Sequence, residues 1–348
     1  MVSTSVAVIT GAGSGIGRAT AVALGRAGFD IALLGRDADR LQETAHVLDR
    51  HHVRSLMIPL DVTHAQAVSH AAATVEEKLG SIAVWVNGAG ASVFGQVADL
   101  PVADIQRATY VTYMGSIHGT LAALEVMRRR GVGTIINLDL ALHLRDLPLQ
   151  AVENGARAGL RAFCESLRVE LRHDADNIRV VMVNLPAINT PRYGWTRNLT
   201  GKMMQPYGAV YAPEVAAEAI CRVVFSRSDS ISIGLGALVP DFLSRFLPYS
   251  WRSYRAIYGY KDQMGHDWIE TETETETETS LPDALYSPVK GCLTANGAYD
   301  EKARRLESPL SFFVSSALQK RLTAFLVMLF LWWLCRRFFL AQKTQKRS

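Results

Sequence analysis

The sequence predicts an α/β fold built on a doubly wound parallel sheet of about seven strands. Three observations carry this expectation. Short β-rich runs alternate with longer helical patterns from residue 6 to about residue 245. Each run is apolar almost throughout, as a strand buried on both faces of a parallel sheet must be. The first run also leads straight into a glycine-rich loop that opens the first helix.

Strands are expected at Val6–Ile9, Asp30–Leu34, Ser55–Pro59, Ile82–Val86, Thr134–Leu138, Ile178–Val183 and Ser230–Ile233. Helical stretches such as Arg18–Ala27, Ala38–Arg50, Ala65–Leu79 and Gly115–Arg129 lie between them. The chain has 348 residues, enough for one domain of about 250 residues and an extension of roughly 100. The domain is read as residues 1–245, followed by an aromatic and basic helical extension over 246–269. Within 242–260 (FLSRFLPYSWRSYRAIYGY) the aromatics mix with Arg245, Arg252 and Arg255. Such a helix packs on the main domain, covers a cleft, or lies on a membrane surface, where aromatic and basic residues are favoured. Residues 270–280 are a linker, because the glutamates of the ETETETETET run repel one another and nothing there can form a core. Residues 281–320 are weakly patterned, and 321–348 form an apolar segment with a basic tail.

Apolar residues make up 49% and charged residues 20%, which excludes a wholly disordered chain. The net charge of +4 is too mild to argue for nucleic acid. Arg336, Arg337, Lys343, Lys346 and Arg347 at the C-terminus alone exceed that surplus. Cys164, Cys221, Cys292 and Cys335 lie far apart, so neither a Cys-rich zinc module nor a dense disulfide scaffold is expected. The histidines form no metal-ligand set, and His46, His51 and His52 are expected on an exposed surface. The N-terminus shows no secretory signal pattern, so a cytoplasmic globular domain is expected.

Leu322–Cys335 (LTAFLVMLFLWWLC) is uncharged and precedes Arg336-Arg337 and a further apolar stretch to Ala341. As a helix the uncharged run covers about 21 Å, short of the roughly 30 Å hydrocarbon core. Extension to Ala341 includes both arginines, whose cost of roughly 5–7 kcal/mol if central nearly cancels the apolar gain of about 3–7 kcal/mol. Basic residues flank both ends. A monotopic or hairpin-like anchor, a spanning tail helix and a buried oligomer helix all remain open, and membrane association through 322–341 is the common expectation.

Thr10-Gly-Ala-Gly-Ser-Gly-Ile-Gly17 follows the first strand. Gly11 permits the tight turn, Gly15 lets the backbone approach a pyrophosphate, and Gly17 allows close helix–strand packing. The helix N-terminus then presents unpaired N–H groups and a positive dipole end to phosphates. The second strand ends Leu33-Leu34-Gly35-Arg36. No acid stands there to bind a ribose 2′-OH, and Arg36 can pair with a 2′-phosphate, which favours NADP(H) over NAD(H).

Together these segments resemble the short-chain dehydrogenase/reductase family over about residues 5–235, and the resemblance implies a Rossmann fold. TGAGSGIG at 10–17, with Ser14 and Ile16, resembles the TGxxxGxG signature. Asp61-Val62 resembles the adenine contact after the third strand. Asn87-Gly-Ala-Gly90, with Ala89, resembles the NNAG motif. Pro186-Ala-Ile-Asn-Thr190, with Ile188, resembles the PGxxxT segment, where the Thr hydroxyl holds the nicotinamide amide.

The family pattern breaks where its chemistry occurs. The Tyr-x-x-x-Lys pair of the family corresponds to Glu153-Asn-Gly-Ala-Arg157, its serine to Leu140 beside Asp139, and its asparagine to Thr112. In the family mechanism a lysine-acidified phenol donates a proton to the carbonyl oxygen. A carboxyl near pKa 4.3 beside an arginine is ionised at neutral pH and has no proton to give. Leu140 removes a hydroxyl that would stabilise the developing alkoxide. Arg157 could still bond a ribose, but its rigid fork does not replace a lysine.

Two readings stand open. In one, the chain binds NADP(H) as a sensing or scaffolding protein at a membrane. In the other, it interconverts alcohols and carbonyls of a lipophilic substrate by rearranged acid–base chemistry, through Glu153 or a cleft tyrosine among Tyr110, Tyr113 and Tyr193. The bland alternative for Glu153 and Arg157 is an i,i+4 structural ion pair. The resemblance also implies a homodimer formed through the fourth and fifth helices.

Overall fold

The computed structural model describes residues 5–141, 146–174, 176–233, 248–268, 283–291, 294–305, 313–315, 325 and 328. The first half alternates strictly: β1 (Val6–Thr10), α1 (Gly15–Arg26), β2 (Asp30–Gly35), α2 (Ala38–Asp49), β3 (Ser55–Pro59), α3 (Ala65–Lys78) and β4 (Ile82–Asn87). A short strand β5 (Val93–Phe94) leads to α4 (Val102–Thr109), a π-helical turn at Tyr110–Met114, and α5 (Gly115–Arg128). Then come β6 (Val132–Leu140), α6 (Ala151–His173), β7 (Asn177–Leu185), β8 (Ala187–Ile188) and α7 (Arg192–Trp195). β9 (Arg197–Asn198), β10 (Lys202–Met204), β11 (Val210–Tyr211), α8 (Pro213–Phe225) and β12 (Ser230–Ile233) complete the main domain. α9 (Pro248–Tyr254), β13 (Met264–Trp268) and β14 (Phe313–Ser315) follow.

The central sheet has the order β14-β12-β7-β6-β4-β1-β2-β3. Its seven strands from β3 to β12 are parallel, and every expected strand lies within this set. β14 adds antiparallel to β12, with Ile231 opposite Ser315, an eighth strand the sequence pattern did not reveal.

Apolar runs become strands here because both faces are covered. In β1 the side chains alternate between two cores: Ala7 and Ile9 join Leu24, Leu41, Val215 and Ile220 beneath α1, α2 and α8. Val6 and Val8 join Val68, Val75, Ala123 and Leu160 beneath α3, α5 and α6. The period of two thus survives in space although the strand reads as continuously apolar.

Of the helical extension expected over 246–269, the structure holds helix at Pro248–Tyr254 and a π-helical turn at Arg255–Gly259, whereas Met264–Trp268 is instead the strand β13, paired antiparallel with β10. Gln263, in the turn before β13, donates through Nε2 to the carbonyl oxygen of Pro148 at 3.0 Å. Arg255 and Gly259 are buried on that side, whereas Tyr249, Tyr254, Ile257 and Tyr258 are exposed. The segment therefore packs on the main domain by one face and presents aromatics on the other. Residues 242–247, the whole acidic linker and nearly all of 322–341 lie outside the described residues. No described helix is long and apolar enough to cross a membrane.

Candidate functional site

The strand order reverses at β1, whose neighbours β2 and β4 are followed by crossovers to opposite sides. A cavity of about 300 Å³ opens at the carboxyl ends of the strands beside this point, where doubly wound sheets bind ligands.

The glycine loop forms its floor. Gly11, Ser14, Gly15, Ile16 and Gly17 all line the cavity. Ser14 is the N-cap of α1, its side chain makes no capping bond, and the first turn contains no acid. The first N–H groups of α1 have no intrahelical partners, so the helix end is free to receive an anion. The spacing of the glycines is steric. A Cβ on Gly17 would stand 2.1 Å from the Gly11 carbonyl oxygen, and one on Gly15, whose φ is +51°, would stand 3.0 Å from Thr190 Cγ2. The loop is thus a cradle that side chains would fill, and it fits a pyrophosphate.

At the adenosine end, Arg36, Asp61 and Val62 line the cavity. Asp61 pairs with Arg107 at 2.5 Å and accepts from the Thr63 amide at 2.9 Å. Burial would raise the Asp61 carboxyl, but the hydrogen bonds from Arg107 and Thr63 prevail and hold it at about 2. Arg36 already has partners. Its Nη2 donates to the carbonyl of Ala284 at 2.5 Å, and its Nη1 to those of Leu285 and Tyr286 at 3.3 and 3.2 Å. These partners come from the weakly patterned stretch after the acidic linker.

At the other end, Ala89, Gly90, Pro186, Ile188 and Thr190 line the cavity, together with Leu140, Glu153 and Arg157. Asn87 stands behind the wall. It is buried and donates through Nδ2 to Thr120 Oγ1 at 3.1 Å and Asn137 Oδ1 at 2.9 Å, which ties β4 to α5 and β6. Thr112 also lies behind the wall. In the π-helical turn, its hydroxyl donates to the Ala91 carbonyl at 2.7 Å and accepts from the Ala91 amide at 2.9 Å. It braces the loop after β4.

Glu153 faces the cleft but is only 2% exposed. Both its oxygens accept from Arg192, Oε1 from Nη1 at 2.9 Å and Oε2 from Nη2. Arg157 is the more distant partner, with Nε 3.8 Å from Oε1, and its Nη1 donates to the Leu138 carbonyl at 2.6 Å. Burial alone would raise the Glu153 carboxyl, but Arg192 and then Arg157 outweigh it and hold it below the usual carboxylate range. The i,i+4 pair foreseen from the sequence is present as the weaker half of a triad. Arg192 was missed, because its chain position near Thr190 does not show that α7 folds its side chain onto α6.

Asp139 also lines the cavity and is paired with Arg161, both oxygens 3.1 Å from Nη1. Of the tyrosines considered, Tyr110 is 54% exposed and Tyr113 packs on Gly159, whereas Tyr193 lines the cavity. Burial pushes the Tyr193 phenol up, so it keeps its proton across the neutral range. No group of described His, Cys, Asp or Glu side chains could hold a metal ion.

The comparisons with known proteins agree with this geometry. A family model described as short chain dehydrogenase matches residues 5–198. An uncharacterized oxidoreductase, YxnA, of Bacillus subtilis is 30% identical over 252 residues, covering 70% of this chain and 71% of the relative. The 3-ketodihydrosphingosine reductase of Bos taurus is 26% identical over 65% of this chain and 70% of its own. An alcohol dehydrogenase from Thermococcus sibiricus, solved with 5-hydroxy-NADP, superposes with a TM-score of 0.57 at 26% identity. That match covers 66% of this chain and 95% of the other. This chain belongs to the short-chain dehydrogenase family of oxidoreductases.

Proposed function

We propose that the chain binds NADP(H) in this cleft but lacks the tyrosine–lysine hydride-transfer chemistry of its family, and serves as a cofactor-binding sensor or scaffold at a membrane. The observation that carries this reading is the Glu153–Arg192 pair. Where carbonyl reduction needs a proton donor, the cleft holds a buried, doubly bonded carboxylate with no proton to donate. Arg157 is anchored on the Leu138 carbonyl. Leu140 supplies no hydroxyl, and Thr112 is committed to Ala91. The glycine cradle suits the pyrophosphate through the backbone N–H groups at Ser14–Ile16. Thr190 suits the nicotinamide amide, and Arg36 suits the 2′-phosphate, which supports NADP(H) over NAD(H). The bound dinucleotide would supply or accept a hydride, and without a proton donor the cleft supports binding more readily than turnover.

A second reading rests on Tyr193. Its phenol is in the cleft and protonated, so it is the one considered tyrosine placed to donate to an oxyanion. In that case the protein is an active oxidoreductase. The named activity of the bovine relative, a sphingoid reductase, and the apolar segment 322–341 both favour a lipophilic substrate. The exposed aromatics Tyr249, Tyr254 and Tyr258 support contact with a lipid interface. The homodimer is supported by Leu121 on α5 and Val169 on α6, which are 54% and 70% exposed.

The test is titration of NADPH and NADH into the full chain, followed by NADPH oxidation with a panel of long-chain ketones. Selective NADPH binding without turnover supports the first reading. Turnover that is lost in Tyr193→Phe supports the second, and no binding of either nucleotide overturns both.

A further inference from the structure

We infer that segment 283–291 is a built-in competitor of the adenosine 2′-phosphate: the chain closes its own cleft, and NADP(H) must lift this strap to bind. The inference rests on the reading that the cleft takes NADP(H).

The geometry of the strap is specific. Ala284, Leu285 and Pro288 form part of the wall of the cavity that the glycine cradle also lines. Arg36 gives both terminal nitrogens to the carbonyls of residues 284–286. Arg107, already paired with Asp61, donates through Nε to the Leu285 carbonyl at 3.1 Å. Arg40 donates to the carbonyls of Val289 and, at 3.3 Å, Gly291. Three arginines around the adenosine end therefore donate to five neutral carbonyls of the same short segment, Arg40 and Arg107 being ion-paired with Asp37 and Asp61 as well. A phosphate dianion makes charge-assisted, bidentate bonds to such forks that are roughly twice as strong as neutral ones. The strap can hold these arginines in its absence and yield in its presence.

The strap is pinned at one end by contacts that involve none of the cofactor-facing groups. Leu285 is 2% exposed and sits among Val93, Leu100, Ala108 and Val152. Asp283 pairs with Arg197 at 3.0 Å, and Tyr286 donates its hydroxyl to Asp104 at 2.8 Å. Further on, the Gly297 amide donates to the Asn189 carbonyl beside Thr190 at 3.2 Å. The direct conflict lies at Arg36, whose two terminal nitrogens cannot serve a 2′-phosphate while they donate to the carbonyls of Ala284, Leu285 and Tyr286.

The experiment compares the full chain with the anchor variant Asp283→Ala/Tyr286→Phe and, separately, with Leu285→Ala. Affinity is read from NADPH fluorescence, and hydrogen exchange of peptide 283–291 is read by mass spectrometry with and without NADPH. If the strap competes, the anchor variants bind NADPH at least about tenfold more tightly, and NADPH accelerates exchange of the segment in the unmodified chain. Weaker binding in the variants with slower exchange under NADPH would overturn the proposal and make the segment a lid that completes the site. Unchanged affinity and exchange would also overturn it. Binding by none of the proteins would overturn the cofactor reading itself and the competition with it.

Discussion

A carboxylate as buried as Glu153 persists as an ion only because Arg192 and Arg157 stand against it. Removing one partner of such a pair leaves an uncompensated charge and costs about 3–5 kcal/mol in a fully buried setting. Arg192 keeps 38% of its side chain exposed, so water offsets part of the loss and Arg192→Ala should destabilise the fold by about 2–3 kcal/mol in urea unfolding. Adding Glu153→Gln to that variant should recover part of the loss, because the stranded charge is then gone. Asp61 gives a second residue-scale prediction. Its folded-state pKa of about 2 lies below the unfolded value near 4, so the unfolded chain binds the extra proton in that window. Its contribution is complete above about pH 4 and is lost as pH falls towards 2. Asp61→Asn should flatten the acid limb of thermal stability measured across that range.

At the scale of elements, the junction of β1 and α1 is the most tightly specified. The 2.1 Å approach of a Gly17 Cβ to the Gly11 carbonyl oxygen is to backbone, which cannot rotate aside. Gly17→Ala should therefore cost at least the upper end of the usual overpacking range, about 3 kcal/mol, and abolish nucleotide binding, as checked by denaturation and titration. The junction was fully legible in the sequence because its requirement is local: strand, turn, phosphate cradle and helix follow one another within a dozen residues. The π-helical turn at Tyr110–Met114 was not legible. Its stability comes from Thr112 bonding a loop some twenty residues earlier, and no propensity records that.

Across the whole molecule, the chain after the acidic linker returns to the domain it left. Ala284, Leu285 and Pro288 line the cleft, Asp300 accepts from Asn189, and β14 adds to the sheet edge. The apolar run beyond leads to a prediction for the intact protein: it should float with liposomes, and Leu329→Arg/Leu331→Arg should abolish flotation. Each arginine at the centre of such a segment costs about 2.5–3.5 kcal/mol, and replacing two leucines also removes part of the apolar gain, so the balance turns against insertion. Flotation that survived the double substitution would count against the anchor.

What the residues alone determined is whatever depends on short range or on simple burial. The seven parallel strands follow from continuous apolar runs, the phosphate cradle from glycine spacing, and the departure from the family's serine, tyrosine and lysine from the residue types at 140, 153 and 157. Tertiary structure decided which charges meet. Arg192 reaches Glu153 across 39 residues, and Arg36 meets its carbonyl partners across about 250. An arginine side chain carries the same charge and donors whether it is solvated, holds a phosphate or binds its own chain. Its partner is chosen by the folded geometry that brings an acceptor within about 3 Å, and a one-dimensional pattern contains no such distance.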